Sequence, residues 1–371
     1  MNKNTRHLPM RTVFFIVFIA SCYLFSACSN QTTEDKTTTL QSSTSEYTPA
    51  PVPTPEGMVW IPAKKFTQGA LPNDEFALEH EKPAHEVYTD GFFIDIHEVT
   101  NKEFKKFVEE TGYVTVAERP IDWEEMRKSL PPDTPKPPDS MLAPGSLTFN
   151  RSLEQVTDLN NYYQWWSWVK GANWRQPYGQ GTTIEGKDNF PVVHIAFEDA
   201  LAYCKWANRR LPTEAEWEAA ARGTFAMCTY TWGDDDSKIN EMANTWQGIF
   251  PTKNESKDGF EYISPVKSYP PNSAGIYDMA GNVWEWTQDW YHANYYKSLN
   301  PAKTISNPTG SSEYFDPQRP YEPVKVIKGG SFLCHSSYCA SYRVSARMAS
   351  SMDTGSDHLG FRTVADPDML K

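Results

Sequence analysis

From Gly223 to the C-terminus the chain shows no helical periodicity; Gly, Asn, Asp and Pro turns alternate with short aromatic runs. A helical bundle needs sustained helical patterning and a regular sandwich needs evenly spaced strands, so this half excludes both and has to be held together by its loops. Regular structure belongs to the first half. "MVWIPAKKF" and "HEVYTDGFFIDIHEVT" are rich in β-formers and broken by Gly and Pro, which predicts short strands. In "TNKEFKKFVEETG", Thr100 and Glu103 form a capping box, Phe104, Phe107 and Val108 share a face, and Gly112 ends a helix. A second helix is predicted from about Glu198 to Asn208, and a third after "RLP", with Thr213 and Glu216 as its capping box and Gly223 as its stop. Between the first two runs a Pro- and Trp-rich stretch, Arg119 to Phe190, without regular periodicity. It includes "PPDTPKPPDS" and "WWSWVKGANWRQPYG", and its density of Trp points to an ordered, functional segment. No internal repeat recurs at a fixed period. The expectation is an α+β domain low in regular secondary structure.

The N-terminus sets the compartment. Lys3, Arg6 and Arg11 precede an apolar run from Val13 to Phe25, too short for a comfortable membrane span, which reads as an export signal over residues 1–27. Residues 28–55 are Thr, Ser, Gln and Pro with almost no large apolar side chain, so they are expected to form a flexible tether ahead of one domain at 56–371. No second apolar run is long enough to cross a membrane. The net charge of -12 argues against a nucleic-acid partner and is compatible with a basic peptide.

Of the 6 cysteines, Cys22 lies in the signal and Cys28 directly after it. Cys204 sits at helical spacing with Ala200, Tyr203 and Ala207, and reads as a buried inert thiol; Cys228 has no local partner. Cys334 and Cys339, in "GGSFLCHSSYC", form the one local pair. On residues alone this pair is a short structural disulfide, a metal clip or a reactive thiol couple, and the spacing leaves all three open. A thiol–disulfide oxidoreductase is less consistent with it, because the C-x-x-C spacing and its helix context are missing.

Four stretches, "DNFPVVHIAFEDALAYCKWANRRLPTEAEWEAAARG", "SAGIYDMAGNVWEWTQDW", "VIKGGSFLCHSSYC" and "DHLGFRTVAD", resemble the formylglycine-generating enzyme, or sulfatase-modifying factor, family from about Gly57 to Asp366. The N-terminal "LFSAC" resembles a bacterial lipobox, with Phe25 where a smaller aliphatic is usual; it implies lipidation at Cys28 and a lipoprotein facing the periplasm or cell exterior. A plain secretory signal is the alternative. The family resemblance implies an irregular, C-type lectin-like α+β fold. The RLPTEAEWE and GNVWEW blocks occur across the superfamily, including members without this chemistry, so they speak to fold; the Cys-His-x-Ser-Tyr-Cys segment points to the catalytic branch. The implied reaction is O2-dependent oxidation of a cysteine, within a Cys-x-Pro-x-Arg motif of unfolded sulfatase polypeptides, to Cα-formylglycine. The rival reading is a non-catalytic binding or assembly lipoprotein on the same fold.

What the resemblance implies for the site follows residue by residue. Cys334 and Cys339 bind Cu(I), a soft ion content with few thiolate ligands, and Cys339 meets the substrate. Ser331 lies near O2, His335 orients the site, and Trp284 packs against it; strand alternation places Trp284 and Trp286 on one face and Glu285 on the other. Two oxygen-rich groups resemble Ca2+ sites: Asn244, Thr245, Asp258 and Phe260, and Asp278, Gly281, Val283 and Glu285. Val344 and Thr363 stand where some secreted relatives carry disulfide cysteines, which supports free thiols here. A monomer is expected.

Overall fold

Backbone hydrogen bonding in this protein is divided among many short ladders, as its turn-rich sequence requires. The computed structural model describes residues 48–139, 142–159 and 161–371. The expected signal, Cys22, Cys28 and most of the tether lie outside the described residues.

The early strands form where β-formers are densest. β1 (Met58–Ile61) pairs antiparallel with β4 (Phe92–Asp95), and β14 (Val364–Ala365) adds to the other side of β4, so strands far apart in sequence close one sheet. β2 (Lys64–Gln68) and β3 (His85–Thr89) form a second sheet, which β10 (Ile305–Ser306) extends in parallel. The Trp-rich stretch is ordered as a hairpin of β5 (Gly145–Phe149) and β6 (Trp166–Lys170), and β7 (Gly248–Ile249) and β8 (Lys253–Asn254) make a small one. The central sheet has the order β12-β11-β9-β13, from Met348–Ser351, Val324–Lys328, Trp284–Trp290 and Leu359–Gly360.

The helices start and stop where their capping residues sit. α1 (Asn101–Thr111) is capped by the Thr100 hydroxyl, which accepts from the Glu103 amide at 3.3 Å, while the Glu103 carboxylate accepts from the Thr100 amide at 2.8 Å. α2 (Trp123–Met126) is a single turn. α3 (Phe197–Trp206) and α4 (Glu214–Arg222) match the second and third predicted helices, and Thr213 and Glu216 make the same reciprocal cap on α4. α5 (Ile239–Met242) and α6 (Tyr295–Ser298) are again single turns. Among the described residues no helix is long and apolar enough to cross a membrane. The α+β expectation therefore holds, with regular structure confined to short pieces.

The main apolar core lies between α1, α3 and the central sheet. Phe104 and Phe107 from α1, Tyr203 and Cys204 from α3 and Trp284 and Trp286 from β9 pack together, and Cys334 belongs to the same cluster. Trp284 and Trp286 face this core, while Glu285 turns to the opposite side and accepts from the Trp217 indole at 2.8 Å. Cys204 and Cys228 are buried, and burial pushes the Cys228 thiol up to about 11. Thr363 is clasped by Asp95, whose carboxylate accepts from its amide at 2.7 Å and its hydroxyl at 2.6 Å.

Residues ahead of 56 touch the first sheet: the Trp60 indole donates to the Thr48 carbonyl at 2.9 Å, and Ala50 and Val52 pack with Met58 and Phe93.

Candidate active site

β11 ends in Gly329 and Gly330, both at positive φ (92° and 74°), and the turn they make throws the next residues into a tight loop. A Cβ on Gly330 would lie 2.8 Å from the Ser341 carbonyl carbon, so glycine is what lets the start and finish of the loop meet. The Cys334 amide donates to the Ser331 carbonyl at 2.9 Å. The His335 carbonyl then accepts from the amides of Tyr338, Cys339 and Ala340 at 2.9, 3.0 and 3.2 Å. These bonds fold the chain back on itself and bring both cysteines to one point.

Cys334 and Cys339 are both free thiols, with Cys334 buried and Cys339 half-buried at the loop's mouth. The two sulfurs are hydrogen-bonded to each other, which divides their chemistry. Support from the Cys334 thiol holds Cys339 down to about 7, whereas burial pushes Cys334 well above the ordinary thiol value. The pair thus sets a more acidic, partly buried sulfur beside a less acidic, buried one. The Ser331 amide donates to the Cys334 sulfur at 3.4 Å, and the Ser331 hydroxyl accepts from the Leu333 amide at 3.3 Å, so this buried serine braces the loop. The His335 ring is turned onto its own loop, with Nδ1 2.7 Å from the Ser337 hydroxyl; the tight backbone turn rests on the His335 carbonyl. Trp284 packs in the core cluster that holds Cys334, with Cys339 against it.

Residues that sequence reasoning did not find complete the surroundings. The Trp246 amide donates to the Cys334 carbonyl at 3.0 Å and the Phe332 amide to the Asn282 carbonyl at 2.9 Å, fixing the loop from two directions. Tyr338 stacks on Phe250 (4.9 Å, 16°) and meets Trp165 edge-on at 5.7 Å, so the "WWSWV" segment does reach the cysteine loop. Tyr162 and Tyr163 continue this aromatic rim outward. No short-range motif announces Phe250 or Trp246; only the tertiary fold brings them to residue 334.

The two oxygen-rich groups abut one another. Gly281 lies against Asn244 so closely that a Cβ would come within 2.0 Å of the Asn244 carbonyl oxygen. In the first group, Asn244 Oδ1 is buried without a hydrogen-bond partner, and the Gln247 side-chain amide donates to the Thr245 carbonyl and, at 2.7 Å, to Asp258. Asp258 also accepts from the Thr245 and Phe260 amides at 2.9 and 3.1 Å. The Thr245 carbonyl and an Asp258 oxygen therefore meet at one point, which the Gln247 N–H occupies. The second group fits less well. Asp278 Oδ1 and Glu98 Oε2 are buried without partners, but both Glu285 oxygens are taken by Arg362, at 2.6 and 2.7 Å, and Val283 is packed in the core. Glu285 is in this arrangement the partner of an arginine. Among the described residues no three His, Cys, Asp or Glu side chains converge as a metal site.

The comparisons with known proteins agree with this geometry. A family model described as "Sulfatase-modifying factor enzyme 1-like domain" matches residues 43–367. A Mycobacterium tuberculosis protein named formylglycine-generating enzyme is 43% identical over 311 residues, 84% of this chain and 98% of its own. A Bos taurus relative named inactive C-alpha-formylglycine-generating enzyme 2 is 36% identical over 308 residues, 82% of this chain and 86% of its own. The structure of PvdO from Pseudomonas aeruginosa has a TM-score of 0.54 and 23% identity, covering 83% of this chain and 93% of that one, which speaks to the fold alone. The chain belongs to the formylglycine-generating enzyme (sulfatase-modifying factor) family.

Proposed function

We propose that this protein is an enzyme that converts a cysteine of unfolded, exported sulfatase polypeptides to Cα-formylglycine, with O2 as oxidant and Cu(I) held by Cys334 and Cys339. The observation that carries the reading is the reduced pair itself: adjacent sulfurs of unequal acidity, the more acidic one partly buried beside an aromatic rim. Two soft sulfurs on a rigid loop fit Cu(I), whose role when bound is the one-electron chemistry that triplet O2 requires.

The chain's own residues prepare the rest. Cys339 faces the incoming peptide and Cys334 stays behind it, shielded from competing thiols by burial and by Trp284. Ser331 keeps the loop's shape and places a hydroxyl within the same turn. Tyr338, Phe250 and Trp165 offer flat apolar faces on which an extended peptide with a proline can rest. In the wider setting we place the domain behind a lipid anchor at Cys28, as a monomer facing the periplasm or cell exterior, with structural Ca2+ at the Asn244, Thr245, Asp258 and Phe260 oxygens. The second set, with Glu285 bound to Arg362, supports Ca2+ less.

The inactive bovine relative favours a second reading, because 36% identity is compatible with the fold lacking the activity. Incubating the purified protein with a Cys-x-Pro-x-Arg peptide, Cu(I) and O2, followed by mass spectrometry for the aldehyde, separates the two. An enzyme yields formylglycine and loses it in Cys334→Ser and Cys339→Ser; a binding protein yields none.

A further inference from the structure

Oxidation of a cysteine to an aldehyde leaves an electron count to close. Conversion of R–CH2–SH to R–CHO, with sulfur leaving as hydrogen sulfide, releases two electrons, whereas O2 carried through to water takes four. The balanced reaction is R–CH2–SH + O2 + 2 H+ + 2 e− → R–CHO + hydrogen sulfide + water. The peptide cannot supply the second pair of electrons, and without them the same oxidation ends at hydrogen peroxide.

The structure contains a route by which such electrons reach the site. Tyr342 follows Cys339 by three residues and is buried in the same core cluster as Cys334, against which Cys339 packs. Its ring stacks on Tyr230 at 6.1 Å and 28°. Tyr230 in turn stacks on Trp232 at 4.9 Å and 6°. Trp232 is half-buried, its indole N–H donates to the Asp235 carbonyl at 2.8 Å, and Asp234, Asp235 and Asp236 beside it are exposed. Phe104, Phe107, Phe197 and Phe361 of this core do not oxidise readily. This line is built only of Tyr and Trp, runs from the thiols to the surface, and ends among carboxylates that favour a transient positive charge on the indole.

We propose that Trp232, Tyr230 and Tyr342 form a hopping path that carries the two missing electrons, one at a time, from a low-molecular-weight thiol at the surface to the reacting centre at Cys334 and Cys339. The path rests on the oxidase reading above. Its balance is R–CH2–SH + O2 + 2 R′SH → R–CHO + hydrogen sulfide + water + R′SSR′: the external thiol is oxidised to its disulfide, and its two protons are those consumed at the site. In each passage Tyr342 gives an electron to the centre and is refilled by Tyr230, Tyr230 by Trp232, and Trp232 by the thiol.

Two measurements test it. In the metal-free, reduced protein, flash-quench oxidation with a ruthenium tris-bipyridine photosensitiser should give an indole radical followed by a tyrosyl radical. Repeated flashes should accumulate a Cys334–Cys339 disulfide, seen by mass spectrometry. Tyr230→Phe keeps the ring and its stacking but should lose most of that disulfide; Trp232→Phe should do the same from the outer end. During turnover with a peptide, Cu(I) and a thiol, wild type should consume thiol and release little peroxide. Tyr230→Phe should instead raise hydrogen peroxide towards one per aldehyde. Aldehyde formation with peroxide and disulfide yields unaltered by Tyr230→Phe overturns the path and leaves the oxidase reading intact. No aldehyde from wild type overturns both, since the path then has no reaction to serve.

Discussion

At the scale of single residues the site depends on how two sulfurs share one hydrogen bond. Cys339 has its thiolate supported by Cys334, so alkylation of Cys339 by iodoacetamide in the reduced, metal-free protein should show a midpoint near pH 7, about 1.5 units below a free cysteine. Cys334→Ala removes the donor and should move the midpoint back up; a midpoint equal to that of free cysteine in wild type would contradict the arrangement. Asp357 shows the opposite case. It is fully buried, one oxygen accepts from the Phe149 amide at 3.2 Å, the other has no partner, and burial pushes its pKa up to about 7. The folded state holds this proton more tightly than the unfolded chain, where the pKa is about 4, so stability is lost as pH rises from about 4 and levels off above about 7. Asp357→Asn should therefore raise stability at pH 8 by about 1–3 kcal/mol and leave it little altered at pH 4, measured by urea unfolding at both. The cysteine pair was legible in the sequence because its partners are five residues apart. Asp357 was not, since its burial is decided by a strand more than two hundred residues away.

At the scale of elements the loops do the work that long strands do elsewhere. The cysteine loop is tied to the Asn282 turn, and Asn282 is its hub. Its Oδ1 accepts from the Ser264 amide at 3.0 Å, its side-chain amide donates to Glu98 at 3.0 Å, and its carbonyl holds Phe332. Asn282 also has a φ of 57°, which asparagine tolerates better than most residues. Asn282→Ala should lower stability by about 1–3 kcal/mol and reduce turnover, because buried groups are left unpaired and the loop loses an anchor. Asn282→Gly relieves the backbone but not the hydrogen bonds, so a full rescue by Gly would assign the effect to backbone strain alone. Calcium, if held by the Asn244 group, acts on the same scale: chelation should lower the melting temperature, and Asp258→Ala should remove that response. The three longer helices were legible because their caps are local, Thr100 with Glu103 and Thr213 with Glu216. The β5–β6 hairpin was not, because β5 (GSLTF) lacks clear alternation and the Trp-bearing β6 is mostly exposed. Nor was the Glu285–Arg362 pair, whose members lie far apart in the chain.

At the scale of the whole molecule, a cysteine destined for a sulfatase's own interior has to be reached before that protein folds. A half-exposed Cys339 beside an aromatic rim suits an extended peptide, and an anchor at Cys28 would keep the domain near chains emerging from export. Cys28→Ser should shift the protein from the membrane fraction to the soluble one without changing its activity on a peptide. The overall α+β character was legible in the composition and turns, and the family in its motifs; the packing of Ala50 and Val52 beside Met58 and Phe93 was not, because these residues look like tether until β1 and β4 are in place. The central claim is that Cys334 and Cys339 carry out an oxidation. Its most direct measurement is the mass of a Cys-x-Pro-x-Arg peptide after incubation with reduced protein, Cu(I), O2 and thiol, beside the Cys339→Ser variant. The account predicts an aldehyde-bearing peptide from wild type, none from the variant, and none when copper is rigorously removed. Equal aldehyde from wild type and Cys339→Ser, or full activity without copper, would contradict it.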